Sequence, residues 1–418
     1  MIIRRVLAIM AIVALILPLP AAAEDLEAER DRIAAETAAL RGLPVLDEID
    51  DALITTDELR QRMPILISED YPAEEASADQ RVLAAFGLLP AEYDLLQAYI
   101  DLLASQVAGF YDPATDEMYV ISDTGDFNGE DQYTYAHEAV HALQDASFDI
   151  KTGYDQALAI NDDASLAFSA LVEGDATLAS NDYLFANPDL TNDIIFAGSG
   201  DSTLIDQAPA FLSTGLLFPY LSGLDFVTAV RDAGGWDAVN AAYADPPVST
   251  EQILHPEKYL DRDDPTPVTI PDLAAVLGPE WSILDSNTLG EFTIVQLLAD
   301  LQPGEGLNLI TGGFRFPIPA LNAAAGWDGD QYALWVNGEE DLLRFDSEWD
   351  TPQDAAAFAR AMAQLAERRF HNVFQSQEDG SRRMDGDGAS VVIAIDGTRV
   401  TYVQSTIPEI VAAVASAS

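Results

Sequence analysis

Two histidines stand four residues apart in the run His137-Glu138-Ala139-Val140-His141, and this spacing constrains the fold more than any other feature of the chain. The run is helix-forming: Asp131 is a cap, Ala136, Ala139 and Ala142 favour helix, and neither Gly nor Pro falls within 131–146. On a helix, residues i and i+4 lie on one face, so both imidazoles can address a single metal ion. Glu138 is turned about 100° away, where it reaches a water on that ion rather than the ion itself. With four His in 418 residues, chance supplies roughly 0.002 such patterns, which decides against coincidence.

A catalytic zinc needs a third protein ligand and one open position. No further His occurs before His255, and between Ala139 and Thr250 the only glutamate is Glu173. It sits in Leu171-Val172-Glu173-Gly174-Asp175-Ala176, inside a helix expected over 162–184 behind Asp162 as cap. About fifteen residues connect the two helices, enough for an antiparallel return. Asp145 and Asp175 are rival ligands, and a buried carboxylate between paired helices is the plain alternative for Glu173. Zinc lowers the pKa of its water towards ~7, and Glu138 accepts the proton.

HEAVH followed by a helix bearing EGDA resembles the gluzincin (thermolysin-like) group of zinc metallopeptidases. The resemblance covers roughly residues 107–184. It implies zinc held by His137, His141 and Glu173, with Glu138 as general base, and a sheet edge beside the active-site helix for an extended peptide or protein substrate. The hairpin read at 107–121 suits that edge. Thirty-one residues separate His141 from Glu173, more than in thermolysin. Segments 107–113, 249–259 and 326–332 are similar to stretches of uncharacterised secreted bacterial proteins with the same centre. Gluzincins also carry a His or Tyr that hydrogen-bonds the tetrahedral intermediate. His255 is the only His placed for that role after Glu173, with Tyr183 and Tyr259 as substitutes and a helix-terminating His before Pro256 as the structural alternative. Asp163 and Asp175 are candidates to receive the second ring nitrogen of a ligand histidine. His371, among Arg368, Arg369 and Phe370, reads as a surface or structural residue.

Composition narrows the setting. There is no Cys, so thiol nucleophiles, disulfide scaffolds and Cys-ligated metals are excluded. Lys and Arg number 20 against 71 Asp and Glu, a net charge of −51 that disfavours nucleic acid and anionic membranes. Only Lys151 and Lys258 are lysines, a surface suited to a salty medium. Arg4 and Arg5, an apolar run over 6–17 and Ala21-Ala22-Ala23 before Glu24 form a Sec-type export signal cut after Ala23, giving a secreted or periplasmic protein with no membrane span after cleavage.

The expected class is α+β: a zincin-like core of β-hairpin and two metal-binding helices, with a helical N-terminal region and a small C-terminal α+β unit. The divisions are a signal peptide at 1–23, helices at 24–105, the core at 106–265, a connecting helical region at 266–330 and the C-terminal unit at 331–418. Thr55 and Glu58 form a capping box in the helical region. A Gly/Pro/Asp-punctuated stretch runs to about Asp264. In the last unit, Asn337-Gly338 and Asp396-Gly397 each join two strands ahead of a helix, predicting a four-stranded antiparallel sheet backed by two helices. Asp328-Gly-Asp330 and Asp385-Gly-Asp-Gly388 lack the remaining ligands of a calcium loop and read as flexible turns. Gly198-Ser-Gly200 is only superficially a nucleophile elbow. The whole reads as an exported zinc peptidase using a metal-activated water. A non-catalytic zinc-clamped binding module, closed by His255 as fourth ligand, is one alternative; a zinc hydrolase for a non-peptide amide is another. Oligomeric state stays open.

Overall fold

The computed structural model describes residues 22–46, 48–113, 115–122, 127–190, 203–308 and 313–417. Residues 1–21 of the expected export signal, and Gly198-Ser-Gly200, lie outside the described residues. Ala22 and Ala23, beside the expected cleavage point, begin a helix.

The chain opens with α1 (Ala22–Arg41), β1 (Asp50–Ile54), α2 (Thr56–Asp70), α3 (Ala73–Phe86) and α4 (Leu95–Gln106). Next come β2 (Gly109–Asp112), β3 (Glu117–Ile121), α5 (Gly129–Phe148), α6 (Ile150–Ile160) and α7 (Asp162–Ala186). They are followed by α8 (Thr203–Gln207), α9 (Ala210–Ala244), α10 (Thr250–Leu254), α11 (Pro256–Asp261) and α12 (Ala274–Leu277). Then come β4 (Ser282–Asn287), α13 (Gly290–Ala299), β5 (Leu307–Asn308), β6 (Gly313–Phe314), α14 (Ile318–Ala324), β7 (Trp327–Asn337) and β8 (Glu340–Trp349). The chain closes with α15 (Pro352–Arg369), β9 (Gln375–Ser376), β10 (Arg382–Asp385), β11 (Ser390–Asp396), β12 (Arg399–Ser405) and α16 (Pro408–Ala415). The class is α+β, as expected.

A small sheet has the order β1-β3-β2. β3 pairs antiparallel with β2, the expected hairpin, and parallel with β1. β1 comes from the stretch expected to be wholly helical; its Asp-Asp start hides it from a hydrophobic pattern, and its pairing is made with residues far along the chain. β2 is left at the edge, beside α5. The Thr55–Glu58 capping box forms and starts α2.

The C-terminal sheet is larger than expected. β7, β8, β12 and β11 are the four anticipated strands, and β4, β10 and β9 extend it to seven in the order β4-β7-β8-β12-β11-β10-β9. Gly338 (φ 62°) and Gly397 (φ 63°) take the left-handed conformation that tight hairpin turns require. Successive strand residues face opposite sides. Phe345 and Tyr402 pack with Phe358 and Met362 of α15, while Leu342 and Val403 pack with Val411 and Val414 of α16. The two helices therefore cover opposite faces.

β4 belongs to the region expected to be a helical connector, and the N-terminal helices share a core with the sheet. Phe86 of α3 meets Tyr332 and Phe345 edge-on, at 5.5 and 5.9 Å between ring centres. The largest apolar cluster runs from Ile54 to Tyr402, so the N-terminal helices and the C-terminal sheet are not separate cores.

The punctuated stretch before Asp264 contains the longest helix, α9, with non-helical backbone at Gly234 and Gly235 and Pro219 inside. Among the described residues it is the one helix long and apolar enough to cross a bilayer, and most of that apolar surface is buried in the protein. Its partner is α7. A Cβ on Gly174 would lie 2.1 Å from the Gly223 carbonyl oxygen, so this pair of glycines lets the two backbones touch.

Candidate metal centre

α5 starts at a capping box: the Asn128 side chain accepts from the Glu130 and Asp131 N–H groups, and the Asp131 carboxylate accepts from Asn128 N. Asp131, expected as the cap itself, is the other half of this box. α7 is capped by Asn161, one residue before the expected Asp162, through a bond from Ala164 N. α6, not anticipated, bridges the two. Both ligand-bearing helices are core helices: Ala136, Ala139 and Val140 of α5, and Ala170, Leu171 and Ala179 of α7, are buried. At their contact, His137, His141 and Gln144 of α5 meet Glu173 and Asp175 of α7.

Three donor atoms converge between them. His137 Nε2 lies 3.2 Å from His141 Nε2 and 3.2 Å from Glu173 Oε2, and His141 Nε2 lies 3.4 Å from the same oxygen. Ligand atoms about 2.0–2.1 Å from a tetrahedral zinc must stand about 3.3 Å apart. The three separations match three edges of that tetrahedron, and this group can hold a metal ion. Asp145 lies elsewhere, accepting from Tyr111 Oη (3.0 Å) and Ile150 N (3.1 Å).

Behind His141, its Nδ1 is 2.8 Å from Gln144 Oε1. Gln144 Nε2 donates to Val172 O and Asp175 Oδ2, both at 3.0 Å. Asp175 also accepts from Arg41 Nε (2.5 Å), Arg41 Nη2 (3.0 Å) and Tyr243 Oη (2.7 Å). Asp175 therefore serves the site one residue removed from the ring. Asp163, the other carboxylate candidate, instead accepts from Thr250 N and Thr250 Oγ1.

The electrostatics favour positive charge at the point of convergence. Burial alone would lower the His141 imidazole, but the Glu173 carboxylate outweighs it and raises the ring to about 9. Burial alone would raise Glu173, yet the two imidazoles beside it bring it down to about 2. Either a proton or a cation satisfies such a set, and a metal would displace the proton. Glu138 is buried, and that burial raises its carboxyl against the opposing pull of His141 and His137. A carboxyl so held can both take and return a proton.

Sequence reasoning missed Tyr220. Its ring stacks on His137 (6.0 Å between centres, 26° between planes), and it lines a cleft of about 90 Å³ with Glu138, His141 and Glu173. Burial first, then Glu173 and Glu138, push its phenol far up, so it remains an O–H donor. The available signal was Gly223, one helical turn later, paired with Gly174 beside the ligand Glu173.

The other candidates lie away from this cleft. His255 caps the C-terminus of α10, and its Nε2 faces Glu291 at 3.1 Å. The Tyr183 hydroxyl is 3.4 Å from Arg32 Nη2, and Tyr259 donates to Asp245 O at 2.9 Å. His371 is exposed near Asp387. Neither Asp-Gly run is a flexible loop: Asp328-Gly-Asp330 lies in β7 at a bulge rather than in a turn, and Asp385-Gly-Asp-Gly388 joins β10 to β11. Asp328 accepts from Thr266, Asp330 from Leu289 N, Gly290 N and Trp327 Nε1, and Asp385 from Arg383 and Ser390.

Residues 282–415, from β4 through α16, match a family described as a domain of unknown function, DUF8575. No curated protein matches the chain. One solved structure, "Crystal structure of a putative hydrolase with a novel fold from Chloroflexus aurantiacus", is similar at 17% identity and a TM-score of 0.34, covering 59% of this chain and 92% of that one. Similarity of that degree carries no argument about fold or chemistry here.

Proposed function

We propose that this chain is an exported zinc-dependent hydrolase of peptide bonds. The observation that carries the reading is the tetrahedral spacing of His137, His141 and Glu173 with Glu138 buried beside them. These three residues would hold the ion. When bound, zinc supplies the Lewis acidity that makes water nucleophilic near neutral pH and polarises a carbonyl. Glu138 takes the proton of the attacking water and hands it to the leaving amine. The Tyr220 hydroxyl donates to the oxygen on which negative charge develops.

The surroundings suit an extended peptide. β2 is the sheet edge beside α5, and a Cβ on Gly109 would sit 3.1 Å from Glu138 Cγ, so the strand backbone passes close to the base. A sheet edge is the usual template for a substrate strand, and the Tyr111 backbone on this edge bonds the Glu138 carboxyl. Leu103, Val107, Phe110, Ile150 and Val172 give the cleft an apolar wall. The non-catalytic alternative needs a closing fourth ligand, and His255, its candidate, is engaged by Glu291.

The test is Glu138→Gln in the full chain, with metal analysis and a broad peptide-library digest. We expect one zinc per chain in both proteins, and cleavage by the wild type only. Full cleavage by the variant would refute the assignment of the base.

A further inference from the structure

We propose that Arg41 and Asp175 are positioning residues for the metal centre: they fix the Gln144 amide in the one orientation that leaves the His141 Nε2 lone pair directed at a cation. This inference rests on the proposed function for its purpose, though its geometry stands apart from it.

Arg41, Asp175 and Gln144 all have no solvent exposure. A buried ion pair is seldom a net source of stability, so its place behind a metal ligand calls for another account. The Gln144 amide supplies it. Its NH2 group donates to two acceptor oxygens, Val172 O and Asp175 Oδ2. A flipped amide would set Gln144 Oε1 oxygen-to-oxygen against both acceptors and leave that buried Oε1 without a donor, a penalty of about 1–3 kcal/mol for an unsatisfied group in general. The orientation is therefore fixed, and Oε1 must face His141. An oxygen 2.8 Å from Nδ1 can only accept. The ring proton is drawn to Nδ1, and Nε2 keeps its lone pair for the ion.

Asp175 can hold this amide because Arg41 grips both its oxygens from α1, while Tyr243 donates from α9. The guanidinium is itself held 4.3 Å from the centre of the Trp236 ring. Two helices distant in sequence from the motif thus set the proton position on one ligand. It follows that α1 is part of the rear wall of the centre rather than a removable cover.

The experiment compares the wild type with Gln144→Met and Asp175→Asn. Zinc affinity is measured by chelator competition, and the His141 ring nitrogens are observed by NMR in the metal-free chain at a pH where the ring is neutral. In the wild type, the proton should reside on Nδ1, even with the Glu173 carboxylate 3.4 Å from Nε2 as a competing acceptor. Gln144→Met keeps the side chain's length and removes the acceptor; zinc affinity should fall 10–100-fold, the usual cost of losing such a partner. Asp175→Asn leaves the ligand and Gln144 themselves unaltered and changes only the group that holds the Gln144 amide, yet it should shift the His141 proton towards Nε2 and weaken zinc. Unchanged zinc affinity in a folded Gln144→Met protein would overturn the proposal, as would a wild-type ring protonated on Nε2. Should the variants fail to fold, the wild-type spectrum decides alone. A wild type that binds no zinc refutes the metal centre, while its ring signals still judge the relay.

Discussion

Gly174→Ala opposes local helix propensity to tertiary packing, and the two predict opposite signs. In a free helix interior the change adds about 0.5–1 kcal/mol of stability, because glycine loses the most backbone entropy on folding. In this protein the new Cβ would stand 2.1 Å from Gly223 O, 2.2 Å from Gly223 C and 2.8 Å from Gly223 Cα. Non-bonded carbon contacts settle at about 3.5 Å or more, so α9 must retreat by more than about 1 Å. The obstacle is backbone, which cannot swing aside as a side-chain tip would. Over-packing of this kind costs about 1–3 kcal/mol, which outweighs the propensity gain and leaves a net loss of about 1–2 kcal/mol. The displacement has a second consequence. Tyr220 lies one turn before Gly223, so α9 carries it away from His137 and Glu173. A misplacement of about 1 Å at a reacting centre costs about 10²-fold in rate. Urea unfolding reads the first effect; kcat/KM on any peptide the wild type cleaves reads the second. A variant more stable than the wild type, at undiminished rate, would refute the claim that this glycine pair sets the helix separation.

Tyr220→Phe keeps the ring against His137 and removes only the donor, which also bonds Glu173; at saturating zinc, kcat should fall about 10²–10³-fold. Asp330 gives a pH-dependent prediction. Burial raises its carboxyl to about 6, against the bonds from Leu289 N, Gly290 N and Trp327 Nε1 that pull it down. The folded state thus binds a proton that the unfolded state has released between about pH 4 and 6, so stability falls as pH rises through that window. Denaturant titrations should show the wild type gaining about 2 kcal/mol relative to Asp330→Asn as pH drops from 7 to 4. A difference that stays flat with pH would count against it.

What was legible in the sequence is what short-range periodicity and fixed chemistry encode. The spacing of His137 and His141, the scarcity of Glu around Glu173 and the two Gly-containing hairpin turns are local facts, and the structure places those residues on the expected elements. β1, α6, α9 and the three added strands of the large sheet were not legible. β1 pairs with β3 across more than sixty residues. α9 carries Pro219 and several glycines that read locally as breakers, yet Gly223 is there because α7 passes within backbone contact. A glycine that ends a helix and a glycine that lets two helices touch are the same letter, and only the partner distinguishes them.

The same reasoning explains why His255 stood out and Tyr220 did not. A search for a group to meet a developing oxyanion favours rare, chemically conspicuous residues, and His occurs four times where Tyr occurs fourteen. Rarity is a property of the sequence, whereas reach is a property of packing. His255 ends a five-residue helix, and its ring is held by Glu291. Tyr220 reaches the site because Gly174 and Gly223 remove the two side chains that would hold α9 off α7. The informative residue was thus the glycine next to the ligand: in Glu173-Gly174, the first residue can grip a cation and the second decides which helix may come close enough to share it.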